Sequence, residues 1–128
     1  MSTVNVRYIV SNVDEAIPFY ERLGFKVQMH PAPPFAILAL GDLNLLLNQP
    51  GAGGAGQSSD AGNQPQPGGW NRFQIEVSDL DAKMQELKAA GCAVRTDIVQ
   101  GNGGKQAVIE DPSGNPVELL EPRRQAGA

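Results

Sequence analysis

One segment of this chain returns later in the same chain, and that self-similarity restricts the fold more than any other feature. Val10-Ser11-Asn12-Val13-Asp14 comes back as Val77-Ser78-Asp79-Leu80-Asp81. Carrying the register forward without a gap lays Leu23-Gly24-Phe25-Lys26-Val27 over Ala90-Gly91-Cys92-Ala93-Val94. Each copy reads as strand, capped helix, glycine stop, strand. Asn12 and Asp79 suit the position that caps a helix, and Glu15 stands where it would complete a capping box. Gly24 and Gly91 fall where a helix ends on a left-handed residue. Pro18 lacks a backbone N–H, so the first helix is expected to start late or to bend there.

Further strand signals follow each helix. They are Lys26 to His30, Phe35 to Leu40 and Leu43 to Asn48 in the first copy, then Val94 to Val99, Gln106 to Glu110 and Val117 to Glu121 in the second. Turn residues separate them: Pro31-Ala32-Pro33-Pro34 and Gly41-Asp42, then Gly101-Asn102-Gly103-Gly104 and Asp111-Pro112-Ser113-Gly114-Asn115. The expected fold is therefore α+β, with βαβββ written twice in a single domain of 128 residues. Module one covers about 3–50 and module two about 70–122. Residues 51–69, rich in Gly, Ala, Gln, Ser and Pro, read as a flexible linker, with a lid over ligand as the other possibility. Residues 123–128 form a short polar tail.

Alternation along the strands sorts their faces. Val4, Val6, Tyr8 and Val10 oppose Asn5, Arg7 and Ile9, while Phe73, Ile75 and Val77 oppose Arg72, Gln74 and Glu76. Leu45 and Leu47 oppose Asn44, Leu46 and Asn48; Val117 and Leu119 oppose Glu118 and Leu120. One face should pack on the helices. The other collects amides and charges, either because it is solvated or because it lines a cavity for a small molecule.

Charge narrows the partners. A formal net charge of −4 offers no cationic surplus for nucleic acid or an anionic membrane. It favours a neutral or cationic ligand. The first residues lack the apolar run of a signal peptide and no stretch is long enough to span a bilayer, so a cytoplasmic location is expected. Cys92 excludes an intrachain disulfide and reads as a small core residue. His30, the single histidine, is a poor metal or triad candidate. Gly101 to Lys105 is a hairpin turn rather than a phosphate loop, since no Ser or Thr follows the lysine and a strand comes next. Trp70 reads either as an anchor for the linker or as a surface on which a flat ligand stacks.

Taken in order, Ser11-Asn12-Val13-Asp14-Glu15-Ala16, Phe19-Tyr20, Leu23-Gly24-Phe25, Val77 to Asp81 and Asp111-Pro112-Ser113-Gly114-Asn115-Pro116-Val117-Glu118-Leu119 resemble the vicinal-oxygen-chelate superfamily of glyoxalases, bleomycin-resistance proteins and extradiol dioxygenases. The resemblance runs from Val4 to Pro122. It implies a pseudo-twofold eight-stranded cup, closed within one chain or across a homodimer. It also implies a divalent ion held from the first and last strand of each module, usually by His or Glu. Those positions fall at Asn5, Leu46, Arg72 and Glu118 here, and Glu118 keeps the expected type. Leu46 has no donor atom and Arg72 is a permanent cation, so no metal and no other cofactor is expected. Arg72 and Glu118 are instead expected to pair, with Arg7 left as a free cation.

The leading expectation is a metal-independent binder of a small planar or cationic molecule, similar to the drug-sequestering members of the superfamily. Its ligand would touch Asn5, Arg7, Leu46, Asn48, Trp70, Arg72, Gln74, Glu76 and Glu118. An enzyme of the lyase, isomerase or hydrolase type, with Glu118 or Glu76 as base, is the alternative. Pairing with Arg72 would make Glu118 the poorer base of the two. A metal-dependent enzyme with its ion elsewhere is the third possibility.

Overall fold

Capped amphipathic helices and alternating strands produce the same unit twice. In the computed structural model, which describes residues 4–52 and 64–123, the chain divides into two units, Met1–Gly68 and Gly69–Ala128. The first contains β1 (Asn5–Ile9), α1 (Val13–Arg22), β2 (Lys26–Ala32), β3 (Phe35–Leu40) and β4 (Leu43–Asn48). The second contains β5 (Gln74–Glu76), α2 (Leu80–Ala89), β6 (Ala93–Gln100), β7 (Gly104–Glu110) and β8 (Pro116–Pro122). The two sheets are ordered β1-β4-β3-β2 and β5-β8-β7-β6. In each, the first strand lies parallel to the last, and the remaining pairs are antiparallel. The central part of the expected linker, 53–63, and the tail beyond Arg123 lie outside the described residues.

Each unit has its own core. In the first, Val13, Ala16, Phe19 and Tyr20 put one stripe of α1 inside, against Tyr8, Val10, Ala36, Leu38, Leu45 and Leu47. Tyr20 meets the rings of Phe19 and Phe25 edge-on, with centroids 4.9 and 5.5 Å away. In the second, Leu80, Met84 and Leu87 of α2 are buried with Ala107, Ile109, Val117 and Leu119.

Helix ends follow the sequence closely, with one correction. The Asn12 side chain accepts from the Glu15 N–H at 3.0 Å and that of Asp79 from the Ala82 N–H at 3.0 Å. Gly24 and Gly91 take φ of 101° and 85° just past the C-caps. Yet α1 does not start late: it begins at Val13 and runs through Pro18. Pro18 lies on the exposed side of the helix, where water can take the carbonyl that its missing N–H leaves unbonded.

The strands also differ in detail from expectation. Both β2 and β6 carry a bulge at the same place in the repeat, with Gln28 unpaired between Val27 and Met29 and Arg95 between Val94 and Thr96. Cys92 is half-buried rather than a core residue, because it sits in the connection between α2 and β6. Val4, expected inside, is 73 % exposed ahead of β1. The hairpin at Gly101 to Lys105 forms as expected, closed by the Gly101 N–H donating to the Gly104 carbonyl at 2.8 Å.

Candidate functional site

The face of each sheet turned away from its helix carries the polar residues singled out in the sequence. In the first unit, Asn5 lies opposite Asn44, Arg7 opposite Leu46, and Ile9 opposite Asn48. The ladder continues these rows to Ala39, Ile37 and Phe35. The Asn44 amide donates to the Asn5 side-chain oxygen at 3.2 Å. Arg7, expected as a free cation, pairs with no carboxylate among the described residues but is tethered through a neutral amide. Its guanidinium donates to the side-chain oxygen of Asn48, which is 3 % exposed and needs a partner there. Leu46 is half-buried between them and brings no donor atom.

The second unit places Gln74 opposite Glu118 and Glu76 opposite Leu120, with Val108 and Gln106 next along. Here the expected ion pair is present. Arg72, just ahead of β5, reaches diagonally to one oxygen of Glu118, with Nε at 3.0 Å and Nη2 at 2.9 Å. Gln74 Nε2 donates to the other oxygen at 2.5 Å. Nη1 of Arg72 donates to the Trp70 carbonyl at 3.3 Å. The Glu118 side chain is 12 % exposed, so a carboxylate short of water is met by three charge-assisted contacts. Glu76 is exposed, and among the described residues no side chain pairs with its carboxylate.

Trp70 is held by a residue that the sequence reading passed over. Arg95, re-aimed by the β6 bulge, stacks its guanidinium 4.4 Å from the indole centroid. The same group bonds Glu110 at 2.7 Å, the Gly69 carbonyl at 2.5 Å and the Gly114 carbonyl at 2.7 Å. Arg95 therefore ties the entry of the second unit to the loop after β7. That supports the anchor reading of Trp70, although 63 % of the residue stays exposed.

An acidic cluster lies at the start of α2, where Asp79, Asp81 and Glu121 bring their carboxylates within 4.8 Å of one another. Each is already engaged. Asp79 caps the helix, Glu121 accepts from the Leu80 N–H at 2.9 Å, and Asp81 binds the Lys105 ammonium at 2.8 Å. Asp81 raises the Lys105 ammonium above its ordinary 10.5. In the first unit Gln49 plays the part of Glu121, accepting from the Val13 N–H at 3.1 Å. His30 lies 3.7 Å from Asp14 at the start of α1.

With two βαβββ units and these faces described, comparison with known proteins decides the family. The model of the Glyoxalase/Bleomycin resistance protein/Dioxygenase superfamily matches residues 3–119. The chain belongs to that superfamily. An uncharacterized protein of Mycolicibacterium smegmatis is 30 % identical over 98 % of this chain and 100 % of its own length. Among solved structures, lactoylglutathione lyase from Agrobacterium tumefaciens superposes with a TM-score of 0.72 at 20 % identity, covering 94 % of this chain and 92 % of that one. TnmS3, an antibiotic binding protein from Streptomyces sp. CB03234, superposes with a TM-score of 0.70 at 24 % identity, covering 96 % and 97 %. An enzyme and a binding protein thus share this superfamily's fold, and the fold does not choose between them. Of the four positions at which the sequence resemblance implies an ion, Asn5 and Leu46 in the first unit present an amide bonded to Asn44 and a leucine, and Arg72 and Glu118 in the second present a guanidinium seated on a carboxylate. Neither pair, as it stands, suits a divalent ion.

Proposed function

We propose that this superfamily member binds a small organic molecule on these polar faces without a metal ion, sequestering it rather than converting it. The observation that carries the reading is the Arg72–Glu118–Gln74 cluster. The one carboxylate at an ion-holding position spends one oxygen on Arg72 and the other on Gln74. A cation approaching Glu118 would have to displace a guanidinium and face its charge at close range. Trp70, Gln74 and Glu76 offer further contacts on the second unit, Asn5, Arg7, Leu46 and Asn48 offer contacts on the first unit's face, and an antibiotic binding protein, TnmS3, has the same fold. A homodimer in the cytoplasm belongs to the same proposal, with light scattering on purified protein as its check.

Metal analysis of protein purified without chelator tests the reading. Substoichiometric zinc, nickel, manganese and iron are expected, with a Tm unmoved by added ions. One equivalent of bound metal that disappears in Glu118→Ala overturns it. A panel of planar cations, carboxylates and phosphates then finds the ligand class, since occupancy at a hundred times Kd stabilises by about 2.7 kcal/mol.

A second reading rests on Glu76. Its exposed carboxylate, unpaired among the described residues, has the freedom that a general base needs and that Glu118 lacks. Turnover abolished by Glu76→Gln, and kept in Glu118→Gln, would support the enzyme.

A further inference from the structure

Glu118 can only accept hydrogen bonds, and this fixes what its two partners still have to offer. Gln74 must turn its NH2 group toward the carboxylate, as the 2.5 Å contact from Nε2 shows, so its carbonyl oxygen points the other way. Gln74 is exposed, and among the described residues that oxygen has no partner. Arg72 carries five N–H donors. Nε and Nη2 each spend one on Glu118 and Nη1 spends one on the Trp70 carbonyl, which leaves one N–H on each terminal nitrogen. The Arg72 side chain keeps 29 % of its surface exposed.

Charge in the cluster is spent. The guanidinium and the carboxylate cancel, so neither an anion nor a cation finds an uncompensated partner there. What remains on offer is a neutral acceptor on Gln74 and N–H donors on Arg72, beside the half-buried side chain of Leu120 on the same face. A ligand that matches both needs a donor and an acceptor on one edge, and no net charge.

Building on the small-molecule reading above, we infer that the Arg72–Glu118–Gln74 cluster recognises the amide-like edge of a neutral ligand: a lactam, a primary amide or a pyridone. The ligand N–H donates to the Gln74 oxygen, and the ligand carbonyl accepts from Arg72. Glu118 touches no ligand atom. It positions the other two side chains through its two oxygens.

Amide and guanidinium N–H signals report on this cluster directly by NMR. The full chain, labelled with nitrogen-15, is titrated separately with 2-pyridone, nicotinamide, benzoate, benzamidinium and zinc chloride. The two neutral amides are expected to shift the Gln74 side-chain NH2 and the Arg72 Nε–H signals, while benzoate and benzamidinium leave them in place. Gln74→Leu removes the acceptor and should weaken 2-pyridone on the order of tenfold, the worth of one hydrogen bond. An unaltered backbone spectrum of Gln74→Leu guards against a folding artefact.

If benzoate or benzamidinium moves these signals more than the amides do, the amide-edge assignment falls while small-molecule binding stands. If zinc moves them, the metal-free reading falls as well. If none of the five perturbs them, the cluster is a sheet-to-strand tie and the inference is overturned.

Discussion

At the scale of single residues, the second unit's polar face is governed by Glu118. Its carboxylate is nearly shut off from water, so its partners are obligatory, whereas ion pairs on the open surface contribute little. Arg72→Ala should cost about 1–2 kcal/mol in urea unfolding, less than a fully buried pair because Arg72 is partly exposed. A large part of that loss should vanish in an Arg72→Ala/Glu118→Leu double variant, since no unpaired charge is then left behind. A pH effect arises elsewhere. The Lys88 ammonium, 2.8 Å away, and then the Ile98 N–H hold the Asp97 carboxyl below its ordinary 3.8. The unfolded chain therefore takes up this proton first as pH falls. The stabilisation is complete above the ordinary carboxylate range and is lost as pH drops through the lower folded value. Lys88→Met should return the Asp97 midpoint toward 3.8, read from its carboxyl carbon by NMR.

At the scale of elements, the two glycine-dependent turns differ in what they tolerate. A side chain at Gly91, φ 85°, meets nothing within 4 Å, so Gly91→Ala should cost about 1 kcal/mol of backbone strain alone. At Gly104, φ 139°, a Cβ would lie 2.8 Å from the Arg123 nitrogen and inside the surface of the Glu121 carbonyl oxygen. Gly104→Ala should therefore cost about 3 kcal/mol, with thermal and urea unfolding as the measure. The repeat made most of these elements legible, because helix caps and alternation are local chemistry: β3 and β4 fall where turns and alternation placed them. Pro18 did not delay the start of α1, because its penalty depends on whether the orphaned carbonyl faces water, which only the packed helix decides. Arg95 escaped notice because a bulge breaks the alternation from which strand faces are read. The helix-end acceptors Gln49 and Glu121 did leave a trace, an acceptor directly before proline in both copies, at Gln49-Pro50 and Glu121-Pro122. On the candidate site, the pairing of Arg72 with Glu118 could be reasoned from their charges and from the positions that the family resemblance implies. The tie between Arg7 and Asn48 could not, since it depends on Asn48 being buried.

At the scale of the whole molecule, each unit closes its own hydrophobic core around its own helix, and the chain divides at Gly68 and Gly69. No described helix is long and apolar enough to cross a membrane. Two cores joined by one chain raise the question of whether they melt together. The chromophores are placed to answer it. Both tyrosines, Tyr8 and Tyr20, are buried in the first unit, and the sole tryptophan, Trp70, leans on Arg95 in the second. Tyrosine absorbance thus follows one half of the protein and indole emission the other, with no label added. Superimposed traces would denote one cooperative transition, and displaced traces would rank the halves by their resistance to heat.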